Sequence, residues 1–400
     1  MTEASPPQPK KEEEELSTAS EALGDPPVCD ESECVVAFGA GELDLRRTLQ
    51  PGQCFTWDEV QPGVFEGVLH GCLLRFWTTP STTAPATTSS TSTPTTVPPV
   101  DLHCHCTHPR TPPPPDADAW PAAPDPATDL AAFVRWYLRA DVSLTALHAA
   151  WTRSTHPLAR ALRGDNNDNK DSSNSGSTGV RLLRQEPVEC LVSFICSQNN
   201  RVPRIHALVA ALRTHCGPRL ALPASHTAHA HAFPSLARLA ATPPAALAHL
   251  RLGYRAPYIP AAAAAVLAHG GAAWLHALAA PTTSSEDACA ALTTLHGVGP
   301  KVAACTALYA LDHRALVPLD VHMLAVAARA LPRTGSGKAG TAAHRARVQA
   351  AFVDAFGDCA GWAQAVLFTR EIEATPSSSS SSATQEPQEQ PCAKRARRTT

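Results

Sequence analysis

Six segments of low complexity divide this chain and limit which parts of it can fold. They are rich in Pro, Ser, Thr, Asn or Gly, and they cover residues 1–30, 78–100, 109–128, 164–178, 332–343 and 374–400. Segments of this composition cannot bury enough apolar surface to offset the entropy that is lost on ordering. We therefore interpret them as tails and insertions, and we expect the folded core in the segments between them.

Between these segments the apolar residues follow two different spacings, one typical of strands and one typical of helices. Residues 34–77 contain β-rich runs at 53–57, 64–69 and 72–77, with a further strand expected at 102–106. From Asp129 onward apolar residues recur at helical spacing, and we predict helices at 187–196, 202–212, 236–249, 255–268, 272–279, 286–294, 300–311, 321–330, 345–356 and 360–369. The predicted fold class is α+β, with a small antiparallel β-sheet domain joined to a mostly helical body.

The charge distribution supports a division into four parts. We predict a disordered acidic tail at 1–30, a sheet domain at 31–128, a helical domain at 129–373 and a disordered basic tail at 374–400. The net charge of −3 conceals a strong contrast, because the first 30 residues carry −6, whereas residues 181–280 carry nine arginines against two glutamates. A basic body behind an acidic tail indicates a nucleic-acid partner.

Several classes of protein are disfavoured. The N-terminal residues lack the apolar run of a secretory signal, and the alanine-rich stretch at 260–281 is interpreted as a helix pair of a soluble protein, so we expect no membrane partner. Thirteen irregularly spaced cysteines are typical of reduced thiols. The basic cluster at 394–398 is typical of a nuclear import signal or of a solvated tail. We expect the nucleus, with a mitochondrial form left open.

The segment Leu295-His296-Gly297-Val298-Gly299-Pro300-Lys301 lies between two predicted helices. Its two glycines allow a sharp turn with exposed backbone N–H groups, and proline suits the first position of the following helix. Such a turn presents amides and the positive end of a helix dipole to a phosphate. The sequence therefore predicts a helix-hairpin-helix element that binds the DNA backbone.

A lysine and an aspartate follow this turn. Of six lysines in the chain, Lys301 alone lies in a patterned helix, and lysine can act as an amine nucleophile where arginine cannot. Asp320 stands in an apolar run at a helix start. An amine and a carboxylate beside a phosphate-binding hairpin could displace a base from its sugar. The alternatives are that Lys301 contacts a phosphate or is merely exposed, and that Asp320 is a helix N-cap.

Gly297-Val298-Gly299-Pro300-Lys301 followed by Pro318-Leu319-Asp320 resembles the helix-hairpin-helix base-excision DNA glycosylases. Further segments narrow the resemblance to the eukaryotic 8-oxoguanine DNA glycosylase/AP lyase family, namely 51–57, 181–187, 194–200, 252–256 and 361–368. The resemblance covers 34–77 and 129–370, apart from the insertions. It implies excision of 8-oxoguanine opposite cytosine, and of formamidopyrimidine-guanine, followed by β-elimination at a lysine Schiff base.

The resemblance also implies roles for individual residues. Lys301 resembles the Schiff-base nucleophile and Asp320 the catalytic carboxylate. Gly52 resembles the glycine whose carbonyl accepts the N7–H of oxidised guanine, Cys305 and Phe368 the pair that sandwiches the base, and Gln364 the amide that binds its Watson–Crick edge. Without the resemblance, Cys305 and Phe368 would be interpreted as core residues.

The remaining residues implied by the resemblance contact DNA. Asn199 resembles the residue that fills the vacated stack, Arg204 a reader of the orphan cytosine, and Tyr254 the wedge that kinks the duplex. His322 and the hairpin residues His296, Gly297, Val298 and Gly299 are expected at the phosphates. Tyr254 could otherwise be a core residue, and Asn199 only part of a helix C-cap.

Three alternatives concern the class of activity. A related glycosylase with an iron–sulfur cluster is disfavoured because only Cys359 and Cys392 lie beyond Cys305. An alkylbase glycosylase is disfavoured because that branch usually lacks the lysine nucleophile. A non-catalytic DNA-binding module would require Lys301 and Asp320 to be incidental. The ligand-rich segment 103–108 is interpreted as a strand whose histidines and cysteines alternate between faces, so we assign no metal. We expect no cofactor, and a monomer acting on double-stranded DNA with oxidised guanine opposite cytosine.

Overall fold

The computed structural model describes residues 29–50, 52–81, 97–109, 123–163, 178–222, 231–331 and 340–374. The basic tail beyond residue 374 and most of the acidic tail and of the four predicted insertions lie outside these residues. Within the described residues the fold is α+β, as the periodicities predict: one antiparallel sheet followed by a helical body. The predicted acidic tail overlaps the fold by two residues, because the first strand begins at Cys29.

Five antiparallel strands form a single sheet in the order β1-β5-β4-β3-β2. Their bounds are β1 Cys29–Phe38, β2 Asp58–Gln61, β3 Val64–Leu69, β4 Cys72–Pro80 and β5 Val100–Pro109. β1 pairs with β5 along its whole length, from Cys29 opposite Pro109 to Phe38 opposite Val100. The strands β4 and β5 flank the Thr/Pro-rich insertion predicted at 78–100, and together they include a few of its outer residues.

The strand predicted at 53–57 is wrong, because these residues form a loop that anchors the sheet to the helical body. The Gln53 amide donates to the carbonyl of Thr48 at 2.7 Å and to that of Arg181 at 2.8 Å. Thr56 donates to the buried carboxylate of Glu189 at 2.7 Å. These side-chain hydrogen bonds across the two halves override the local β propensity.

Fourteen α-helices lie in the described residues. They are α1 Leu45–Leu49, α2 Leu130–Tyr137, α3 Leu144–Thr152, α4 Pro157–Arg163, α5 Pro187–Ser197, α6 Val202–Cys216, α7 Leu236–Ala241, α8 Tyr258–Ala268, α9 Ala272–Leu278, α10 Ser285–Thr293, α11 Pro300–Ala310, α12 Val321–Ala330, α13 Ala342–Phe356 and α14 Ala360–Ala374. The helix predicted at 236–249 is broken at Pro243, and a 3₁₀ turn at Pro244–Leu250 follows. Proline excludes the preceding residue from the α region and lacks an N–H to continue the helix.

In the described part of the chain, no single helix has the length and apolar character to cross a membrane. One pair of helical segments reaches that length and composition when the two are taken together, but the chain bends by 81° between them. These segments are Gly253–Ala268 and Ala272–Leu278.

Two hydrophobic cores lie side by side. The sheet core contains Phe65, Leu74 and Phe76 from the strands, together with Phe133 and Tyr137 of α2. The second core is formed by the helices α3 to α14. The buried face of α2 therefore packs with the sheet, although residues from 129 onward are predicted as part of the helical domain.

Arg181 joins the two halves of the molecule. Its side chain is only 1% exposed, and its guanidinium donates to the backbone carbonyls of Glu42, Leu138, Arg139 and Val142 at 2.7–3.3 Å. The same group forms an ion pair of 2.8 Å with the Glu42 carboxylate. Burial lowers the pKa of Arg181 to about 10, so the group stays charged at neutral pH. A buried charge held by this many acceptors fixes the junction geometry.

His148 should make the protein sensitive to mild acid. Burial lowers the pKa of this 5%-exposed imidazole from 6.5 to about 4, so between these values the unfolded chain binds a proton that the folded chain does not. We expect this difference to remove about 2 kcal/mol from the free energy of unfolding as the pH falls from 6.5 to about 4.5. Urea denaturation of the wild type and of His148→Leu at both pH values measures it. An equal decline in both proteins would contradict the assignment.

Candidate active site

The helices α10 and α11 form the predicted helix-hairpin-helix element, joined by residues 294–299. Gly297 has a φ of +80°, and a side-chain carbon at this position would collide with the Tyr258 ring. Only glycine meets both constraints. Gly299 is the N-cap of α11 and Pro300 its first residue, so the N-terminal amides of α11 stand beside the turn. The hairpin thus presents the positive end of a helix dipole.

Lys301, the second residue of α11, is partly buried. Its ammonium nitrogen Nζ lies 4.6 Å from the centroid of the Phe194 ring, which belongs to α5. Cys305 lies one turn further along α11, and burial raises the pKa of its thiol. The positive charge of Lys301 offsets part of that rise. The amine therefore lies against an aromatic face, one helical turn before a buried thiol.

Asp320 is the N-cap of α12, as the structural alternative predicts, and its Oδ1 accepts a hydrogen bond from the Met323 N–H at 2.9 Å. Its negative charge raises the pKa of Cys305 further. A capping role leaves chemistry open, because a carboxylate accepts hydrogen bonds through both oxygens. Lys301 and Asp320 thus stand at the starts of α11 and α12, and the charges of both act on the Cys305 thiol in the middle of α11.

A second group of predicted residues meets beside α14. Gly52 has a φ of +82°, and a side-chain carbon there would lie 3.1 Å from Val202 Cγ2 and 3.9 Å from Phe368 Cε1. The ring of His322 packs edge-on against Phe368, with centroids 5.9 Å apart. The loop between α1 and β2 and the start of α12 therefore converge on Phe368, in the middle of α14.

Gln364 lies one helical turn before Phe368 on α14 and is 3% exposed. Its carbonyl oxygen Oε1 is buried and has no hydrogen-bond partner among the described residues. Leaving a buried acceptor unpaired costs about 1–3 kcal/mol. An unpaired amide oxygen at this position is a binding group for the N–H of a ligand.

The predicted DNA-contacting residues lie around the backbone carbonyl of Gln198. That carbonyl accepts from the Tyr254 hydroxyl at 3.3 Å and from Arg255 Nε at 3.0 Å, while the Gln198 side-chain amide donates to the carbonyl of Gly297 at 2.9 Å. Three loops that are distant in sequence are thereby fixed relative to one another. We refer to residues 198–200, 253–255 and 295–299 as the three-loop surface.

Several predicted residues are exposed on or beside the three-loop surface. Asn199 follows the C-cap of α5 with a φ of +45°, which is the conformation expected of a helix-terminating asparagine. Tyr254 is 50% exposed, and His296 packs edge-on against Tyr258 with centroids 4.9 Å apart. Arg204 is exposed on α6 and its guanidinium lies 3.4 Å from the carbonyl of Arg251. Val298, in contrast, is buried, so only its backbone can meet a ligand.

Sequence reasoning missed Phe194, Gln198 and Arg255 as parts of the site. Phe194 follows the apolar pattern of α5, so nothing in the sequence distinguishes it from a core residue. Arg255 is 5% exposed, and its partners are backbone carbonyls 56 and 57 positions away. Contacts of this range leave no local sequence signal.

Two structures with the same fold were solved in complex with DNA. The chain resembles a structure titled MBOgg1 in complex with low affinity DNA ligand, with a TM-score of 0.61, 24% identity and coverage of 86% of this chain and 99% of that one. The Clostridium acetobutylicum 8-oxoguanine glycosylase/lyase gives a TM-score of 0.61 at 18% identity, with 86% and 98% coverage. These likenesses establish the fold.

Two family matches adjoin within this fold. Residues 35–191 match the N-terminal domain of 8-oxoguanine DNA glycosylase, and residues 192–348 match the HhH-GPD superfamily of base excision DNA repair proteins. The second match contains the hairpin, Lys301 and Asp320. Fold and site thus define a helix-hairpin-helix protein of the base-excision repair superfamily.

Among the proteins of that superfamily, the chain is similar to the 8-oxoguanine DNA glycosylases. It is 37% identical over 246 residues to N-glycosylase/DNA lyase OGG1 of Arabidopsis thaliana, covering 60% of this chain and 61% of that protein. It is 31% identical over 268 residues to N-glycosylase/DNA lyase of Saccharomyces cerevisiae, covering 60% and 66%. The chain thus spans between three fifths and two thirds of the length of these curated relatives.

Proposed function

We propose that this chain excises 8-oxoguanine opposite cytosine from duplex DNA and then cleaves the strand, as a glycosylase and AP lyase. The observation that carries the proposal is the position of Lys301 and Asp320 at the starts of α11 and α12, after the hairpin, where both charges act on the Cys305 thiol. Amine and carboxylate are the groups that base displacement requires. The relatives in Arabidopsis and yeast, which are named N-glycosylase/DNA lyase, support the same pair of activities.

The reaction begins at C1′ of the damaged nucleotide. Lys301 Nζ reacts in its neutral form, after its ammonium has given up a proton. The nitrogen lone pair then forms a bond to C1′ while the C1′–N9 bond breaks, and the electron pair of the broken bond leaves with the base, which takes up a proton. The Asp320 carboxylate stabilises the positive charge that develops on the sugar. The sugar then opens to an imine with Lys301, and loss of a C2′ proton expels the 3′ phosphate.

Recognition of the base uses the second group of residues. Gln364 Oε1, which is buried and unpaired among the described residues, accepts an N–H from the Watson–Crick edge of the extruded base. Cys305 and Phe368 enclose the base, and the backbone carbonyl of Gly52 accepts the N7–H that oxidised guanine has and guanine lacks. Formamidopyrimidine-guanine is proposed as a second substrate.

The three-loop surface is proposed as the contact with the rest of the duplex. Tyr254 and Asn199 are exposed there, as a wedge and a stack-filling residue must be. The partner is therefore double-stranded DNA, and phosphate contacts make its binding weaken with salt. We propose that the protein acts as a monomer in the nucleus.

A panel of duplexes tests the function. We expect single-turnover release of 8-oxoguanine opposite cytosine and no release of guanine from the undamaged duplex. Release of an alkylated base in preference to 8-oxoguanine would instead indicate a glycosylase of other specificity. Lesion binding without release of any base would indicate a non-catalytic DNA-binding module.

Replacing Asp320 with asparagine should separate binding from catalysis. An asparagine oxygen can still accept the Met323 N–H, so the cap and the fold are retained, while the charge is lost. We expect the single-turnover rate to fall about a hundredfold, with lesion affinity unchanged. Asp129→Asn is the matched control, because Asp129 caps α2 by the same 2.9 Å bond and should leave the rate unchanged. An undiminished rate in Asp320→Asn would remove this carboxylate from the mechanism.

A further inference from the structure

Three metal-ligating side chains meet at one end of the sheet. Cys72 begins β4, and Cys106 and His108 lie near the end of β5. Leu73 pairs with Thr107, so the neighbouring residues Cys72 and His108 oppose each other across the two strands. All three side chains are buried on the same face of the sheet.

The alternation predicted for segment 103–108 is only partly correct. His103 and His105 do point away from the cysteines, since His103 stacks on Trp77 and His105 faces Glu31. His108 is different because it is two residues from Cys106 and therefore shares its face. The interpretation that histidines and cysteines are separated is wrong for this residue.

The ligand atoms are spaced as a tetrahedral metal requires. His108 Nδ1 lies 3.1 Å from Cys72 Sγ and 3.6 Å from Cys106 Sγ, and all three atoms lie within 4.8 Å of one another. Tetrahedral zinc, with bonds of about 2.3 Å to sulfur and about 2.0 Å to nitrogen, places such atoms about 3.6 Å apart. The site would need shifts of only about 0.5 Å to close around an ion.

The imidazole is also held in the orientation that a ligand requires. His108 Nε2 lies 3.0 Å from Ser32 Oγ on β1, which can accept the Nε2–H. That bond leaves the lone pair of Nδ1 directed at the two sulfurs. Metal-ligating histidines generally have their other ring nitrogen fixed by such a hydrogen bond.

We propose that Cys72, Cys106 and His108 bind a zinc ion that fastens β4 to β5, with water as the fourth ligand. Two thiolates and an imidazole are the donor set that zinc prefers over the hard cations. Binding releases the two thiol protons, so the site carries a 2+ ion against two negative charges. The site stands apart from the proposed reaction and does not depend on it.

Cobalt spectroscopy on the full-length protein tests this proposal. After removal of metal with a chelator, Co²⁺ should give the visible bands of a tetrahedral site and a thiolate charge-transfer band, both displaced by Zn²⁺. We expect the bands to be lost in Cys106→Ser and in Cys72→Ser. Cys54→Ser is the matched control, because Cys54 is a buried thiol of the same core outside the cluster. It should retain the bands.

Ser32→Ala supplies a test that does not depend on the folding of the cysteine variants. Removing the hydroxyl releases His108 Nε2 without touching a ligand, and we expect the zinc affinity to fall about tenfold. An absence of tetrahedral Co²⁺ bands in the wild type would overturn the proposal. Equal zinc affinity in the wild type and Ser32→Ala would overturn it as well, as would bands that persist in both cysteine variants.

Discussion

Lys301→Gln is expected to abolish the covalent protein–DNA product that borohydride traps on a duplex with one 8-oxoguanine opposite cytosine. The amide nitrogen of glutamine is delocalised and cannot attack C1′ or form an imine. Glutamine keeps a polar head of similar reach against the Phe194 ring, so we expect α11 to remain folded. Binding of the lesion should persist, since the other groups that contact DNA are unchanged.

The trapping experiment needs a lysine control because any exposed amine could react with an abasic sugar. Lys338→Gln removes one of the five other lysines and should leave the trapped band at wild-type intensity. A trapped band in Lys301→Gln as strong as in the wild type would exclude Lys301 as the nucleophile. Absence of any band in the wild type, with lesion binding retained, would contradict the lyase step itself.

Arg181→Met is expected to lower the free energy of unfolding by about 3–5 kcal/mol. Methionine fills much of the space but donates no hydrogen bond. Four backbone carbonyls and the Glu42 carboxylate therefore lose a charged donor. Buried acceptors that lose a charged donor are costly, although the Glu42 carboxylate keeps its hydrogen bonds from Ser143, Leu144 and Thr145. Urea denaturation followed by circular dichroism measures the loss.

Arg184→Met is the matched control for this prediction. Arg184 lies three residues further along the same segment, but its side chain is 21% exposed and its ion pairs with Asp141 and Asp312 are long, at 3.9 and 3.5 Å. Arg184 also donates to the Trp136 carbonyl at 3.0 Å, but ion pairs with partly exposed acids contribute little, so we expect a loss of about 1 kcal/mol. Equal losses in the two variants would show that burial of the Arg181 guanidinium is not what holds the junction.

Local sequence signals predicted the features that depend on local structure. The helix predicted at 300–311 is observed as Pro300–Ala310, because proline at the start and the apolar spacing are local properties. The hairpin and the placement of Lys301 and Asp320 at helix starts follow from the same kind of signal. Their chemical roles remain predictions.

Features that depend on distant contacts were not predictable. The loop at 53–57 has β-forming residues, yet its side chains bind carbonyls and a carboxylate of the other half. Phe194 meets Lys301 only because α5 packs on α11. The mistake over His108 is different in kind, since counting positions along the strand places it with Cys106. That information was present in the sequence.

The position of Arg181 has a consequence for any attempt to divide the protein. A fragment that ends at Arg163 keeps the sheet and α2, but it loses the guanidinium that binds the carbonyls after α2 and the Leu183 side chain that completes the sheet core. If the chain is cut between residues 163 and 178, neither fragment contains all the residues of the sheet core. The two halves should therefore unfold in one cooperative transition, and a chain nicked there should stay associated and melt as a single unit.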